Sequence, residues 1–224
     1  MRRSSGLRKC SGASVLRVLL IGFGSFPGAR FNPSATLVKA LARHRRPAFV
    51  QLSRTMHVFA TSYAAVDRDL PKLLAAKPDI VLIFGLAGRR RQLCIETRAR
   101  NAVSLLFPDA DGYRPQRGTI VPGGPPALRG SAPFAALLGA LHGGQMPARL
   151  SRDAGRYLCN YAYWRVLAQV RGGRPLVQLV HIPPVRRRQR RQEISARGYR
   201  PPSFAVLVTA AERLLVALIA ASRR

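Results

Sequence analysis

Pro78-Asp79-Ile80-Val81-Leu82-Ile83-Phe84-Gly85-Leu86-Ala87-Gly88 is the stretch from which the fold is read. The apolar run 80–84 is short and rich in β-branched and aromatic side chains. It is bounded by Lys77-Pro78 before and by glycine after, which marks a buried strand. Two other stretches repeat this form: residues 15–21, closed by Gly22 and Gly24, and residues 176–182, stopped by Pro183-Pro184. Between them lie helical patterns at 63–76, 134–142 and 158–170, and a helix opened by Asn32-Pro33-Ser34, where Pro suits the first turn. Residues 49–52 and 56–59 read as short strands, 94–103 as a further strand, and 108–130 as a Pro/Gly-rich loop. Strands alternating with helices predict an α/β sandwich with a largely parallel sheet, whose sites gather at the carboxyl ends of the strands.

The length of 224 residues and the apolar share of 47% suit one domain with a large core. We read residues 1–14 as a basic, disordered tail and 15–224 as a single domain. Three cysteines, Cys10, Cys94 and Cys159, are odd in number and far apart. They exclude a disulfide framework or a zinc ribbon and favour a reducing compartment, hence a cytoplasmic protein. The formal charge is +29, from 38 basic and 9 acidic residues; only Lys9, Lys39, Lys72 and Lys77 are lysines, which leaves 34 arginines. The arginines are spread along the chain, with runs at 89–91 and 186–191 that lack interleaved aromatics. A solvated surface therefore outranks specific nucleic-acid binding.

Two segments imitate membrane or export signals. The basic start followed by the run 15–26 resembles a signal peptide, but Arg17 interrupts it and glycines follow at once. Residues 204–221 are long and apolar, yet Glu212 and Arg213 sit at the centre, where an Arg costs about 2.5–3.5 kcal/mol in a bilayer. This segment reads as a terminal helix packed on the domain, and no membrane partner is expected.

Gly22, Gly24 and Gly28 do not make a dinucleotide fingerprint, because Pro27 stands where the third glycine belongs. Gly-Phe-Gly-Ser-Phe does not make a nucleophile elbow either. Three other residues carry chemistry. Cys159 opens a helix, where free amides and the dipole favour the thiolate. His181 ends a buried strand. Glu96 is the one acid between Ile80 and Pro108. Taken singly, each has an ordinary structural explanation: a buried Cys, a core His, a surface ion pair. Together they supply nucleophile, base and orienter.

The motifs around these residues resemble those of the pyroglutamyl peptidase I family of cysteine peptidases, C15. GFGSFPG at 22–28 followed by Asn32-Pro33-Ser34 is similar to the family's GFxxFxG…NPS. GLAGRRRQLCIETRARN at 85–101 is similar to GQAGGR…ERxAxN, DAGRYLCN at 153–160 to TAGxxxCN, and VHIPP at 180–184 to HxP. The resemblance implies a three-layer α/β/α sandwich with a mostly parallel mixed sheet and no metal or cofactor. It also implies catalytic Cys159, His181 and Glu96 acting on a peptide with a blocked, pyroglutamyl N-terminus. Phe23 and Phe26 would line the slot for the lactam ring and Asn32 would support it. Leu86 stands where the family carries Gln beside that slot, and Arg89 where it carries Gly. A binding protein too altered to turn over is therefore the second reading, and a basic nucleic-acid-binding protein the third. A homo-oligomer is compatible with all three.

Overall fold

The computed structural model describes residues 15–170, 174–186 and 199–224; the tail 1–14 and most of the charged loop 186–200 lie outside the described residues. Among the described residues, eight strands and five α-helices follow in the order β1 (Leu16–Phe23), α1 (Pro33–Arg43), β2 (Leu52–Phe59), α2 (Tyr63–Ala75), β3 (Ile80–Leu86), β4 (Leu93–Glu96), β5 (Arg98–Arg100), β6 (Ala127–Arg129), α3 (Phe134–Leu141), β7 (Ala148–Ser151), α4 (Leu158–Gln169), β8 (Leu176–Ile182) and α5 (Phe204–Ser222). Six strands form one sheet in the order β2-β1-β3-β8-β4-β7. Every pairing in it is parallel except β4 with β8.

Strand alternation divides the molecule into layers, because successive side chains leave opposite faces. Leu16, Val18 and Leu20 of β1, Ile80, Leu82 and Phe84 of β3, and Val180 and Ile182 of β8 pack with α1, α3 and α5. Leu19, Ile21 and Phe23, Val81 and Ile83, and Val177 and Leu179 pack with α2 and α4. The sheet is thus covered on both faces, the three-layer sandwich that the family resemblance implied. Its three central strands are buried on both sides, which is why they read as unbroken apolar runs.

The remaining elements depart from the sequence reading where long-range pairing decides. Residues 49–52 and 56–59 are not two strands: Pro47–Phe49 is a 3₁₀ turn, and β2 is one continuous edge strand. Residues 94–103 are not one strand either. β4 belongs to the main sheet, whereas β5 pairs in a separate two-stranded ribbon with β6, which lies inside the stretch 108–130 read as loop. The edge strand β7 gave no apolar run at all, since Arg149 and Leu150 are exposed.

α5 is 19 residues long and apolar enough to cross a membrane by length and composition. Here it lies on the sheet through Leu207, Leu214, Leu215 and Leu218. Glu212, 6% exposed, accepts two hydrogen bonds from the Arg46 guanidinium and pairs with His44, so the buried carboxylate is compensated by charge.

The start of α1 is fixed to the end of β1 by three short contacts. Asn32 caps the helix by accepting from the Ser34 amide and donates to the Gly24 carbonyl, 3.0 Å away. Ser34 Oγ accepts from the Phe23 amide. Gly22 allows this approach: a Cβ there would lie 2.7 Å from the Ser34 carbonyl oxygen, a backbone atom that cannot rotate away. Gly22→Ala is expected to lower stability by about 1–3 kcal/mol, as over-packed sites do. Urea unfolding checks this, and an unchanged midpoint would refute the contact as a constraint.

Candidate functional site

The same alternation that builds the layers builds the site. Gly85 of β3, His181 of β8, and Cys94 and Glu96 of β4 carry the parity that faces α2 and α4. Gly85 is in register with His181, and His181 is in register with Cys94. Glu96 sits two residues further along β4, the diagonal position from which a long side chain reaches across. His181 Nδ1 lies 2.9 Å from Glu96 Oε1. His181 is 6% exposed and Glu96 is fully buried.

Cys159 is the second residue of α4, which crosses this face. Gly85 is the point where helix and strands meet. A Cβ built there would lie 2.5 Å from Cys159 Sγ and 3.2 Å from His181 Cδ2. Cδ2 is the ring carbon next to Nε2, so the edge of the imidazole not held by Glu96 is the one turned towards the thiol. Glycine is required at position 85 for Sγ and the ring to occupy this space. The structure therefore brings together the three residues expected as nucleophile, base and orienter.

Electrostatics assign their resting states. Burial would raise the Glu96 carboxyl, but His181, Ser151 and Arg90 outweigh it and hold the group below its usual range. It is a carboxylate facing Nδ1–H. Cys159 behaves differently from the sequence expectation. Burial pushes its thiol up to about 12, against the lowering effect of its backbone amide hydrogen bond, and the Glu96 charge pushes the same way. The helix terminus does not prevail, because a half-buried sulfur beside an apolar core loses more hydration than the amides restore.

Arg90 was overlooked in the sequence, where it lies inside a run read as solvated surface. It donates to Glu96 Oε1 at 2.6 Å, to Ser151 Oγ at 3.3 Å and to the Asp153 carbonyl at 2.6 Å. It thus ties the carboxylate to the loop that leads into α4. That loop turns at Gly155, whose φ of +77° suits glycine. The signal was the arginine ending the family's GQAGGR segment, which falls on residue 90. Asn160 was passed over in the same way. Fully buried, it accepts from the Arg100 amide and donates to the Arg100 and Ala102 carbonyls, which clamps α4 to the chain that leaves Glu96.

The residues expected to line a slot are spread around this centre. Phe23 is 1% exposed and packs against Phe59, with ring centroids 5.9 Å apart. It belongs to the core cluster on the face that carries Gly85 and His181. Phe26 is half-buried, its ring 5.8 Å from that of Tyr157, which precedes α4. Asn32 holds the Gly24 carbonyl in place between them. Leu86 is half-buried at the end of β3, next to Gly85 and in register with Ile182; Arg89 is exposed.

Comparison with known proteins bears on the family and the fold. A family model described as pyroglutamyl peptidase, peptidase C15, matches residues 16–224. The pyrrolidone-carboxylate peptidase of Thermococcus onnurineus is 33% identical over 171 residues, covering 75% of this chain and 84% of that protein. That of Clavibacter michiganensis is 35% identical over 170 residues, covering 74% and 78%. Among solved structures, the pyrrolidone carboxyl peptidase of Fervidobacterium islandicum superposes with a TM-score of 0.79 at 27% identity, over 91% of this chain and 98% of that one. The Thermus thermophilus pyrrolidone carboxyl peptidase gives 0.76 at 29% identity, over 89% and 99%. With the match running through every element from β1 to α5, the chain belongs to the pyroglutamyl peptidase family of cysteine peptidases.

Proposed function

We propose that Cys159, His181 and Glu96 form a catalytic triad that releases an N-terminal pyroglutamyl residue from peptides. The observation that carries this reading is the convergence at Gly85 of the Cys159 sulfur and the free edge of an imidazole whose Nδ1 is held by buried Glu96.

The steps follow from the geometry. The Glu96 carboxylate accepts from Nδ1–H and so leaves Nε2 as the basic nitrogen. Because the resting thiol is neutral, Nε2 must take its proton as sulfur attacks the pyroglutamyl carbonyl carbon. A carbon–sulfur bond forms and the carbonyl becomes an oxyanion. First-turn amides of α4 lack intrahelical acceptors, and Tyr157 supplies no side-chain cap, so these donors remain for the oxyanion. The imidazolium, steadied by Glu96, gives its proton to the departing amine as the carbon–nitrogen bond breaks. Water, deprotonated by His181, then hydrolyses the thioester and the thiol is restored. Arg90 keeps Glu96 ionised and aimed. The two described cysteines are free thiols, which supports action in a reducing compartment.

Leu86 favours a second reading, that of a family member with weak pyroglutamyl selectivity. Its side chain offers no hydrogen bond to a lactam amide, and a site built to pair such an amide discriminates strongly through it.

Cys159→Ala is expected to lower kcat for a pyroglutamyl-fluorophore substrate by about four orders of magnitude or more. Cys94→Ala, although beside His181 in the sheet, should retain most activity. Loss in Cys94→Ala with Cys159→Ala still active would overturn the assignment.

The raised thiol makes a separate claim about pH. Carboxamidomethylation of Cys159 by iodoacetamide at pH 8 should be slower than that of a free cysteine, whose pKa is about 8.5. The rate should go on climbing beyond pH 10. A plateau near neutrality would instead reveal a preformed thiolate–imidazolium pair.

Leu86→Gln should raise kcat/KM for the pyroglutamyl substrate several-fold, since one neutral hydrogen bond contributes roughly 0.5–1.5 kcal/mol. A cyclopentyl analogue of the same shape should not respond. Equal gains for both would mean that residue 86 acts through packing.

A further inference from the structure

Ser151 closes β7, the edge strand that gave no apolar run in the sequence. The parallel pairing of β4 with β7 sets it in register with Glu96, and in-register neighbours share a face of the sheet. It is 8% exposed. Its carbonyl accepts from the Thr97 amide at 2.7 Å and from Thr97 Oγ1 at 3.0 Å, which fixes this end of β7 against the residue that follows Glu96.

A hydroxyl has two lone pairs and one proton. Both lone pairs of Ser151 Oγ are used. Arg90 Nη1 donates to it at 3.3 Å, the same nitrogen that donates to Glu96 Oε1 at 2.6 Å. The Asp153 amide donates to it at 3.2 Å, the local bond of a serine turn. Asp153 Oδ1 in turn accepts from the Gly155 amide, and the chain enters α4 at Leu158. The remaining proton goes to the Glu96 carboxylate, to which Ser151 makes a side-chain hydrogen bond. The other titratable and charged groups that face this carboxylate are His181 of β8, Arg90 of the β3–β4 loop, and Cys159 and Tyr163 of α4.

We infer that Ser151 is a positioning residue for the triad, giving its hydroxyl proton to the Glu96 carboxylate while it holds the loop that leads to Cys159. The inference rests on the catalytic reading proposed above. In that reading Glu96 stays ionised while His181 carries the proton taken from sulfur. A donor on the carboxylate lowers its affinity for a further proton, so the shared proton stays on Nδ1. The same Oγ fixes Asp153. The carboxylate that orients the base and the loop that carries the nucleophile are thus set from one atom.

Ser151→Ala and Ser151→Thr in the full chain test this. The sequence has three glutamates, Glu96, Glu193 and Glu212. Carbon NMR of glutamate labelled at Cδ therefore follows Glu96 directly, its signal identified by its loss in Glu96→Gln. The Glu96 carboxyl should titrate at higher pH in Ser151→Ala than in the wild type, and Ser151→Thr should restore it. This readout needs no turnover. With the pyroglutamyl-fluorophore substrate, Ser151→Ala should lower kcat about tenfold at unchanged KM, the size of one hydrogen bond to a charged group. The acidic limb of the kcat/KM profile should move to higher pH, and Ser151→Thr should recover most of the rate. Ser151→Cys, nearly the same size but a weak donor, makes the same comparison if Ser151→Ala does not fold. An unmoved Glu96 titration in the variant without the hydroxyl would overturn the proposal, as would equal losses of rate in Ser151→Ala and Ser151→Thr. Absence of turnover in the wild type would overturn the catalytic reading instead, and the NMR comparison would still decide whether Ser151 bonds to Glu96.

Discussion

The contact between His181 Nδ1 and the buried carboxylate of Glu96 is the constraint on which the rest of the site depends. A fully buried carboxylate is costly unless charge and hydrogen bonds surround it. Here one oxygen, Oε1, receives both the imidazole and the Arg90 guanidinium. The Glu96 backbone carbonyl is held in turn by Tyr163 Oη and Gln178 Nε2. The four partners come from three parts of the fold: His181 and Gln178 from β8, Arg90 from the β3–β4 loop and Tyr163 from α4. Holding Glu96 Oε1 and the Glu96 carbonyl therefore draws the sheet, the loop and the helix into one arrangement, and the sulfur of Cys159 is carried with the helix; Oε2 is buried without a hydrogen-bond partner.

That arrangement also raises the Cys159 thiol above its usual range, through burial first and the Glu96 charge second. Packing against Gly85 brings Cys159 close to the imidazole but strips water from the sulfur. The Glu96 charge that orients His181 also opposes a thiolate. A neutral pair that exchanges its proton during attack costs less burial than a standing ion pair in the same space.

Much of this was legible in the sequence, and the reasons are physical. The runs 80–84 and 176–182 are buried on both faces, so composition alone marked them, and glycine and proline marked their ends. Cys159, His181 and Glu96 were found because a chain with four histidines and nine acids offers few candidates at strand and helix ends, and because their surrounding motifs match a known family. What escaped depends on partners distant in sequence. β7 is an exposed edge whose pairing with β4 is the only reason it is a strand. β5 and β6 are three residues each and exist through one another. Arg90 looked like its neighbours in an arginine run, and only the fold distinguishes the one that turns inward to Glu96. Phe23, expected to line a slot, packs on Phe59 at the end of β1, a contact that only the pairing of β1 with β2 reveals.

The central claim is that acyl transfer occurs on Cys159. Rapid acid quenching of the protein during turnover of a pyroglutamyl ester, followed by mass spectrometry of proteolytic fragments, reads this directly. The account predicts a pyroglutamyl thioester on the fragment that contains Cys159, absent after alkylation of that residue. An adduct on Cys94, or sustained turnover with no covalent adduct on Cys159 at any quench time, would contradict it.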